Sequence, residues 1–285
     1  MRKFLIVTNR TKDTDLSVTR KIERYLTARG GSCKIYDKPE EMPEEFLEEG
    51  LECAIVLGGD GTILQAITPL VYFQIPILGV NMGTVGFLAG VELDDLEEAM
   101  EALLKDEYEY DERMMLESTV YRNDKVIFKS AGVNDIAISR SGFSRIIRFK
   151  IWANGELVDS YGADGVVLAT PTGSTGYNLS AGGPVVSPRS DVYIITPISP
   201  HSLTSRSIVV SGEEKVVLEG ERIGQNHMEE AFITVDGQHG TRLKGKDRIE
   251  IRRADVKTRL LKVGKTGFYE VLRSKMGGRK LGKEV

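Results

Sequence analysis

An apolar run, Cys53-Ala54-Ile55-Val56-Leu57, ends directly in Gly58-Gly59-Asp60-Gly61-Thr62, and Ile63-Leu64-Gln65-Ala66-Ile67 follows with helical spacing. A short, wholly apolar run of this kind reads as a buried strand of a parallel sheet. Three glycines and an aspartate therefore fall where a strand ends and a helix begins, the edge at which open α/β sheets collect their ligands. Glycine there lets backbone N–H groups approach phosphate oxygens with no Cβ in the way. A carboxylate repels bare phosphate, so Asp60 makes chemical sense as a group that handles a hydroxyl or a metal ion. The plainer alternative is an Asp-Gly turn.

Around this loop the chain changes texture once. From residue 1 to about 105, strands and helices alternate: strand at Phe4–Thr8, helix at Ser17–Ala28, strand at Cys33–Tyr36, an acidic helical stretch, the strand into the glycine loop, strand at Ile75–Val80 and helix at Leu93–Leu104. That order predicts a mostly parallel sheet with helices on both faces. Beyond Glu112 come short β-branched or alternating runs: 116–121, 125–129, 134–139, 146–153, 156–163, 165–169, 192–196, 207–210, 215–218, 231–235 and 247–252. Helical periodicity is nearly absent, so this half reads as all-β, a sandwich or closed barrel. Asn154-Gly155 between two such runs predicts a hairpin. Helical character returns at Gly267–Lys275. The expected domains are 1–108, α/β with the glycine loop; 109–255, all-β; and a terminal segment, 256–285.

The 285 residues are 41% hydrophobic and 28% charged, enough for a sizeable core. No apolar run reaches the length of a membrane span, and the N-terminal apolar stretch is too short for a signal peptide. Cys33 and Cys53 both fall in predicted strands and read as core residues; the absence of a disulfide framework points to the cytoplasm. The net charge of -4 conceals an acidic 40–52, an acidic 92–117 and a basic 242–283. The basic stretch lacks interleaved stacking aromatics, so it reads as a solvated or protein-facing surface and no nucleic-acid partner is expected.

Three further loops carry site chemistry. Gly79-Val80-Asn81-Met82-Gly83-Thr84-Val85-Gly86-Phe87 would lie beside the first loop if the two strands are neighbours. Asn134-Asp135, an amide beside a carboxylate, suits the two hydroxyls of a ribose, or is a plain loop-to-strand transition. The densest stretch, Asp164 to Pro184, runs a strand into Thr170-Pro171-Thr172-Gly173-Ser174-Thr175-Gly176-Tyr177-Asn178-Leu179-Ser180. Neutral donors and acceptors of this sort read a nucleotide's base and sugar, and Tyr177 offers a face for stacking. Other motifs are set aside. The usual dinucleotide fingerprint is missing, Gly264-Lys265-Thr266 has Arg259 where a phosphate loop needs glycine, and His201, His227 and His239 lack metal-ligand spacing.

Taken in order, the blocks Gly58–Thr62, Gly79–Asn81 with Gly83–Leu88, Asn134-Asp135, Thr170–Thr175 with Tyr177 and Ser180–Pro184, and Ile198–Leu203 resemble the NAD kinases. The Gly-Gly-Asp-Gly block alone is shared with diacylglycerol-type lipid kinases and related 6-phosphofructokinases; the later blocks distinguish NAD kinase. The resemblance implies an α/β domain, an all-β domain and a final helix that returns to the first. It also implies a homo-oligomer, dimer or tetramer, with NAD and ATP as substrates and Mg2+ as cofactor. Asp60 resembles the catalytic base on the 2′-hydroxyl of the NAD adenosine. Gly58, Gly59, Gly61 and Thr62 form the phosphate loop, with Gly61 also near NAD. Asn134 and Asp135 resemble the ribose-binding pair, and Asp164, Thr175, Gly176, Tyr177, Asn178, Leu179 and Ser180 the adenosine-binding block. Arg145 and Gln238 align more loosely. Gly176 replaces a frequent alanine and Ser207 a frequent proline, and neither departure touches the chemistry.

The implied reaction is phosphoryl transfer from ATP, or from polyphosphate, to NAD, giving NADP. A lipid kinase would need a greasy pocket, whereas the 170–180 loop is polar. A non-catalytic NAD sensor would gain nothing from Asp60.

Overall fold

The computed structural model describes residues 1–38, 42–43, 47, 50–83, 86–140, 146–202, 204–220, 231–245, 247–264 and 267–277. The chain forms two compact units, Met1–Glu112 with Thr258–Val285, and Arg113–Lys257.

In the first unit, β1 (Lys3–Thr8), β2 (Ser32–Tyr36), β3 (Cys53–Gly58) and β4 (Ile77–Asn81) lie parallel in the order β2-β1-β3-β4. β3 is buried along its whole length, as a central parallel strand covered on both faces must be. Helices α1 (Ser17–Thr27) and α2 (Asp60–Leu70) lie between parallel strands and α3 (Leu96–Lys105) follows β4. A core of Phe4, Ile6, Ile22, Leu26, Ile55, Leu57, Leu78, Met100 and Leu103 joins α1 and α3 to the sheet, while α2 buries Ile63, Ala66, Ile67 and Leu70. The helix expected at Leu93–Leu104 opens with a tighter turn, Leu93–Asp95, before α3 proper.

The second unit is built on β5 (Glu109–Arg122), β6 (Lys125–Gly132), β7 (Asp135–Arg140), β8 (Ile147–Ala153), β9 (Glu156–Ala163) and β10 (Gly165–Ala169). It continues with α4 (Tyr177–Ser180), β11 (Val192–Ile198), β12 (Ile208–Ser211), β13 (Val216–Gly220), β14 (Ala231–Val235), β15 (His239–Leu243) and β16 (Arg248–Lys262). One antiparallel sheet runs β12-β11-β10-β7-β14-β15; in the other, β13 pairs β8 and β16, β8 pairs β9, and β5 pairs β6 and β16. Their inner faces meet in one core that includes Ile136, Ile138, Phe149, Ile151, Val166, Leu168, Tyr193, Leu218, Ile233 and Ile249. The Asn154-Gly155 hairpin forms as its sequence predicts, with φ of 48° and 88° and Ala153 paired to Glu156.

The chain passes between units within β5 and β16. β16 is longer than the expected 247–252 run: it continues to Lys262, where Leu260 pairs Ile77 of β4 inside the first unit. Helix α5 (Phe268–Gly277) packs there too, with the Phe268 ring 5.9 Å from that of Phe87. Several cations of the basic stretch are paired among the described residues: Arg252 with Glu117, Arg253 with Asp191, Arg259 with Glu112 and Lys262 with Asp111.

Candidate active site

In the first unit the glycine loop is tighter than expected, because α2 begins at Asp60 itself and Gly61 and Thr62 are already helical. Gly59 is extended and its carbonyl accepts the N–H groups of Thr62 and Ile63. The remaining first-turn N–H groups have no intrahelical acceptor, which makes this end of α2 attractive to anions. Gly58 is forced to be glycine, since a Cβ there would stand 2.4 Å from Thr62 Oγ1. That hydroxyl in turn accepts a hydrogen bond from Asn9 Nδ2 at 3.0 Å.

The register of β3 on β4 sets Gly58 opposite Asn81, so the two glycine loops are neighbours. Their link is Asp60. Its carboxylate accepts the backbone N–H of Phe87 at 2.9 Å and of Leu88 at 3.0 Å. A Cβ on Gly86 would lie 1.9 Å from Asp60 Oδ1, so the loop closes on the carboxylate only because that residue has no side chain. Asp60 forms no ion pair among the described residues. Asn81 braces the second loop, donating to Gly83 O and to the Glu92 carboxylate.

In the second unit, Asp135 pairs Ala169 across β7 and β10, which places the 170–184 loop directly against Asn134-Asp135. Thr170 fastens them: its N–H donates to Asn134 O at 2.9 Å and its hydroxyl to Val133 O at 2.5 Å. Gly173 lies so close that a Cβ would come within 2.0 Å of Asn134 O. Beyond it a tight turn, Gly173–Thr175, leads into α4. Asp164 pairs with Arg140 at 2.9 Å at the other end of β10.

The loop divides its polar side chains between scaffold and surface. Asn178 is fully buried; its amide donates to Ser174 O and Pro184 O and its oxygen accepts from Thr196. It therefore braces the loop from inside. Ser174 is a second brace, bonded to Pro171 and Val186. Thr175 is partly buried and donates to Thr172 O. Tyr177 and Leu179 are exposed at 42% and 38%, and Ser180 is exposed as well. Burial of part of the ring, with Asp135 and Asp164 nearby, raises the Tyr177 phenol, which therefore stays protonated near neutrality. Gln238 sits in the β14–β15 turn, its N–H on Val235 O. Arg145 lies outside the described residues, as does His227. His201 is exposed and its N–H donates to Gly162 O.

Asp135 is buried, and burial together with the neighbouring Asp236 pushes its carboxyl up to about 7. Asp236 is also raised by burial, but the N–H groups of Val133, Asn134 and Asp135 all donate to it and draw it back. Asp236 went unread in the sequence, where an Asp-Gly pair after a β run signals only a turn.

Comparisons with known proteins agree with one another. The model for the ATP-NAD kinase N-terminal domain matches residues 34–108 and that for the ATP-NAD kinase C-terminal domain residues 133–263. An NAD kinase of Lachnoclostridium phytofermentans is 43% identical over 98% of this chain and 100% of its own, and one of Caldanaerobacter subterraneus is 41% identical over 98% and 100%. Among solved structures, an Archaeoglobus fulgidus NAD kinase in complex with ATP superposes with a TM-score of 0.74 at 27% identity, covering 96% of this chain and 97% of that one. The fold is also that of yeast NADH kinase complexed with NADH, with a TM-score of 0.84 at 22% identity, covering 97% and 88%. Matched across nearly its whole length by full-length relatives and in both domains by family models, the chain belongs to the NAD kinase family.

Proposed function

We propose that this chain runs its family's reaction, phosphorylation of NAD to NADP, with Asp60 as the base on the 2′-hydroxyl of the adenosine ribose. One observation carries this assignment of Asp60: a carboxylate at the ligand-collecting edge of a parallel sheet, fixed by two amides of the next loop and without an ion-pair partner among the described residues. The hydroxyl oxygen attacks the γ-phosphorus of ATP, the bond to the β-phosphate oxygen breaks, and ADP leaves. The hydroxyl's proton passes to Asp60. Because the transition state is loose, that transfer comes late, and a carboxylate that orients the hydroxyl suffices.

The α2 N-terminus and the glycines Gly58, Gly59 and Gly61 offer N–H groups and room for phosphate oxygens. Asn134 and Asp135 bond the ribose hydroxyls, and Thr175, Gly176, Tyr177, Leu179 and Ser180 form the face toward the adenosine, with Asp164 and Gln238 at its margins. Asn178 serves that face from inside the loop. Among the described residues no group of three or more His, Cys, Asp or Glu side chains is arranged to hold a metal ion. Mg2+ would arrive with the nucleotide, keeping several waters and binding through substrate phosphates with one or two carboxylates. Bound so, it would offset charge on the phosphate oxygens.

No helix among the described residues is long and apolar enough to cross a membrane. A cytoplasmic homo-oligomer, dimer or tetramer, is the state we assign. The test is direct. Purified protein is incubated with NAD and either MgATP or polyphosphate, and NADP is measured enzymatically while sedimentation reads the assembly. NADP formation from at least one donor is expected. A preparation that makes none from either would sink the assignment, and a strictly monomeric one the oligomer.

A further inference from the structure

We propose that Asp236 is a positioning residue for NAD, holding through main-chain amides the segment that presents Asn134 and Asp135. The inference deepens the reading above and rests on it. The segment 133–135 precedes the point where β7 is bracketed by both neighbours: its pairing with β14 starts at Ile136, opposite Val235. Its backbone groups therefore need partners other than a regular ladder. They find them in two residues. Asp236 takes the N–H of Val133 on Oδ2 at 2.8 Å, and those of Asn134 and Asp135 on Oδ1 at 2.7 and 3.0 Å. Asp236 N donates to Asp135 O at 2.9 Å, while Thr170 holds the carbonyls of Val133 and Asn134.

All six main-chain polar groups of the segment are thus occupied. By contrast, neither the Asn134 amide nor the Asp135 carboxyl has a hydrogen-bond partner among the described residues. A backbone held at every point beneath two unpartnered polar side chains is what a preorganised ligand contact requires. The carboxylate of Asp236 reaches the segment because its own residue is left-handed, with φ of 50° followed by 68° at Gly237, and Gln238 N closes the turn on Val235 O. Aspartate tolerates that conformation and glycine favours it. Gly132 leaves the space the carboxylate fills, since a Cβ there would lie 2.8 Å from Asp236 Oδ1. Asp236 itself touches no substrate; it acts through the pair.

The test compares Asp236→Ala, Asp236→Asn and Thr170→Val in the full-length enzyme, by steady-state kinetics against NAD and against MgATP with unfolding curves alongside. For Asp236→Ala, KM for NAD should rise about tenfold or more, the factor that a 1.4 kcal/mol loss of binding sets, while KM for MgATP stays within about twofold. Asp236→Asn keeps an acceptor for two amides but turns its NH2 toward the third, so its KM for NAD should rise by a smaller factor. Thr170→Val should raise the same constant by loosening the other side of the segment. A purely structural residue would lower the active fraction and leave KM for NAD unmoved. That result, or failure of both Asp236 variants to fold, overturns the proposal. Wild-type protein that makes no NADP would instead overturn the function beneath it, and the two failures are read from separate arms.

Discussion

Asp60 in the first unit and Asp135 in the second carry the same carboxyl group into opposite surroundings. Asp60 begins a helix, is only partly buried, and receives two amide N–H groups from the loop beside it. Asp135 begins a strand, is buried, and receives none; the amides around it converge on Asp236, and its own carboxyl is pushed up to about 7. The first is built to accept a proton or a hydrogen bond. The second holds a proton near neutrality and can donate one to a sugar oxygen. What a carboxyl does is decided by who receives the neighbouring amides, and not by the residue type.

The sharpest way to break this contrast is at Asp60. Asp60→Asn keeps the shape and loses the base, so turnover should fall about a hundredfold or more while NAD binding, measured by calorimetry, persists. Near-normal turnover in that variant would remove Asp60 from the chemistry. Next come the two glycines that press on each site. Gly86→Ala drives a Cβ against a side-chain terminus, Asp60 Oδ1, which swings aside. Its turnover should drop about tenfold or more with little change in the unfolding midpoint, since small displacements of a reacting group are costly to rate. Gly173→Ala instead meets the Asn134 carbonyl, a backbone atom already fastened by Thr170. It should cost stability, about 1–3 kcal/mol. Finding the larger loss of stability at Gly86 would invert the comparison.

The smallest effect sharpens the Asp135 side. A carboxyl raised in the folded protein holds its proton between about pH 4 and 7, where the unfolded chain has released it. Its contribution to stability is therefore complete below about pH 4 and is lost as pH rises toward 7. Asp135→Asn has no such proton, so it should gain on the wild type by about 2 kcal/mol between pH 5 and 8. Trp152, the one tryptophan, lies in β8 of the same unit and reports its urea unfolding by fluorescence. A constant difference across that range would mean Asp135 titrates normally.

Much of this was legible in the residues. Cys53–Thr62 reads as strand, loop and helix because an unbroken apolar run, a glycine cluster and a helical period each have one local solution, and β3 and α2 form there. The hairpin at Asn154-Gly155 follows from backbone sterics alone. Elsewhere local signals ran short. β15, His239–Leu243, shows little alternation and was not anticipated, since its only large buried side chain is Leu243. β16 looked like six residues and is fifteen, because its second half earns its place by pairing β4. In the 170–180 loop, composition showed a polar site but not which groups face inward. Asn178 turns inward and braces the loop, whereas Tyr177, Leu179 and Ser180 are exposed.

By itself, then, the sequence determined the family, the two textures of the chain and the glycine-flanked Asp60, because strand, turn and helix signals act between residues close in the chain. Only the tertiary structure decided that Asp236 captures three amides about a hundred residues away, that Gly86 must make room for Asp60, and that burial raises the Asp135 carboxyl. Those outcomes depend on which groups meet across the fold and on how much water is excluded between them, and no local pattern encodes either.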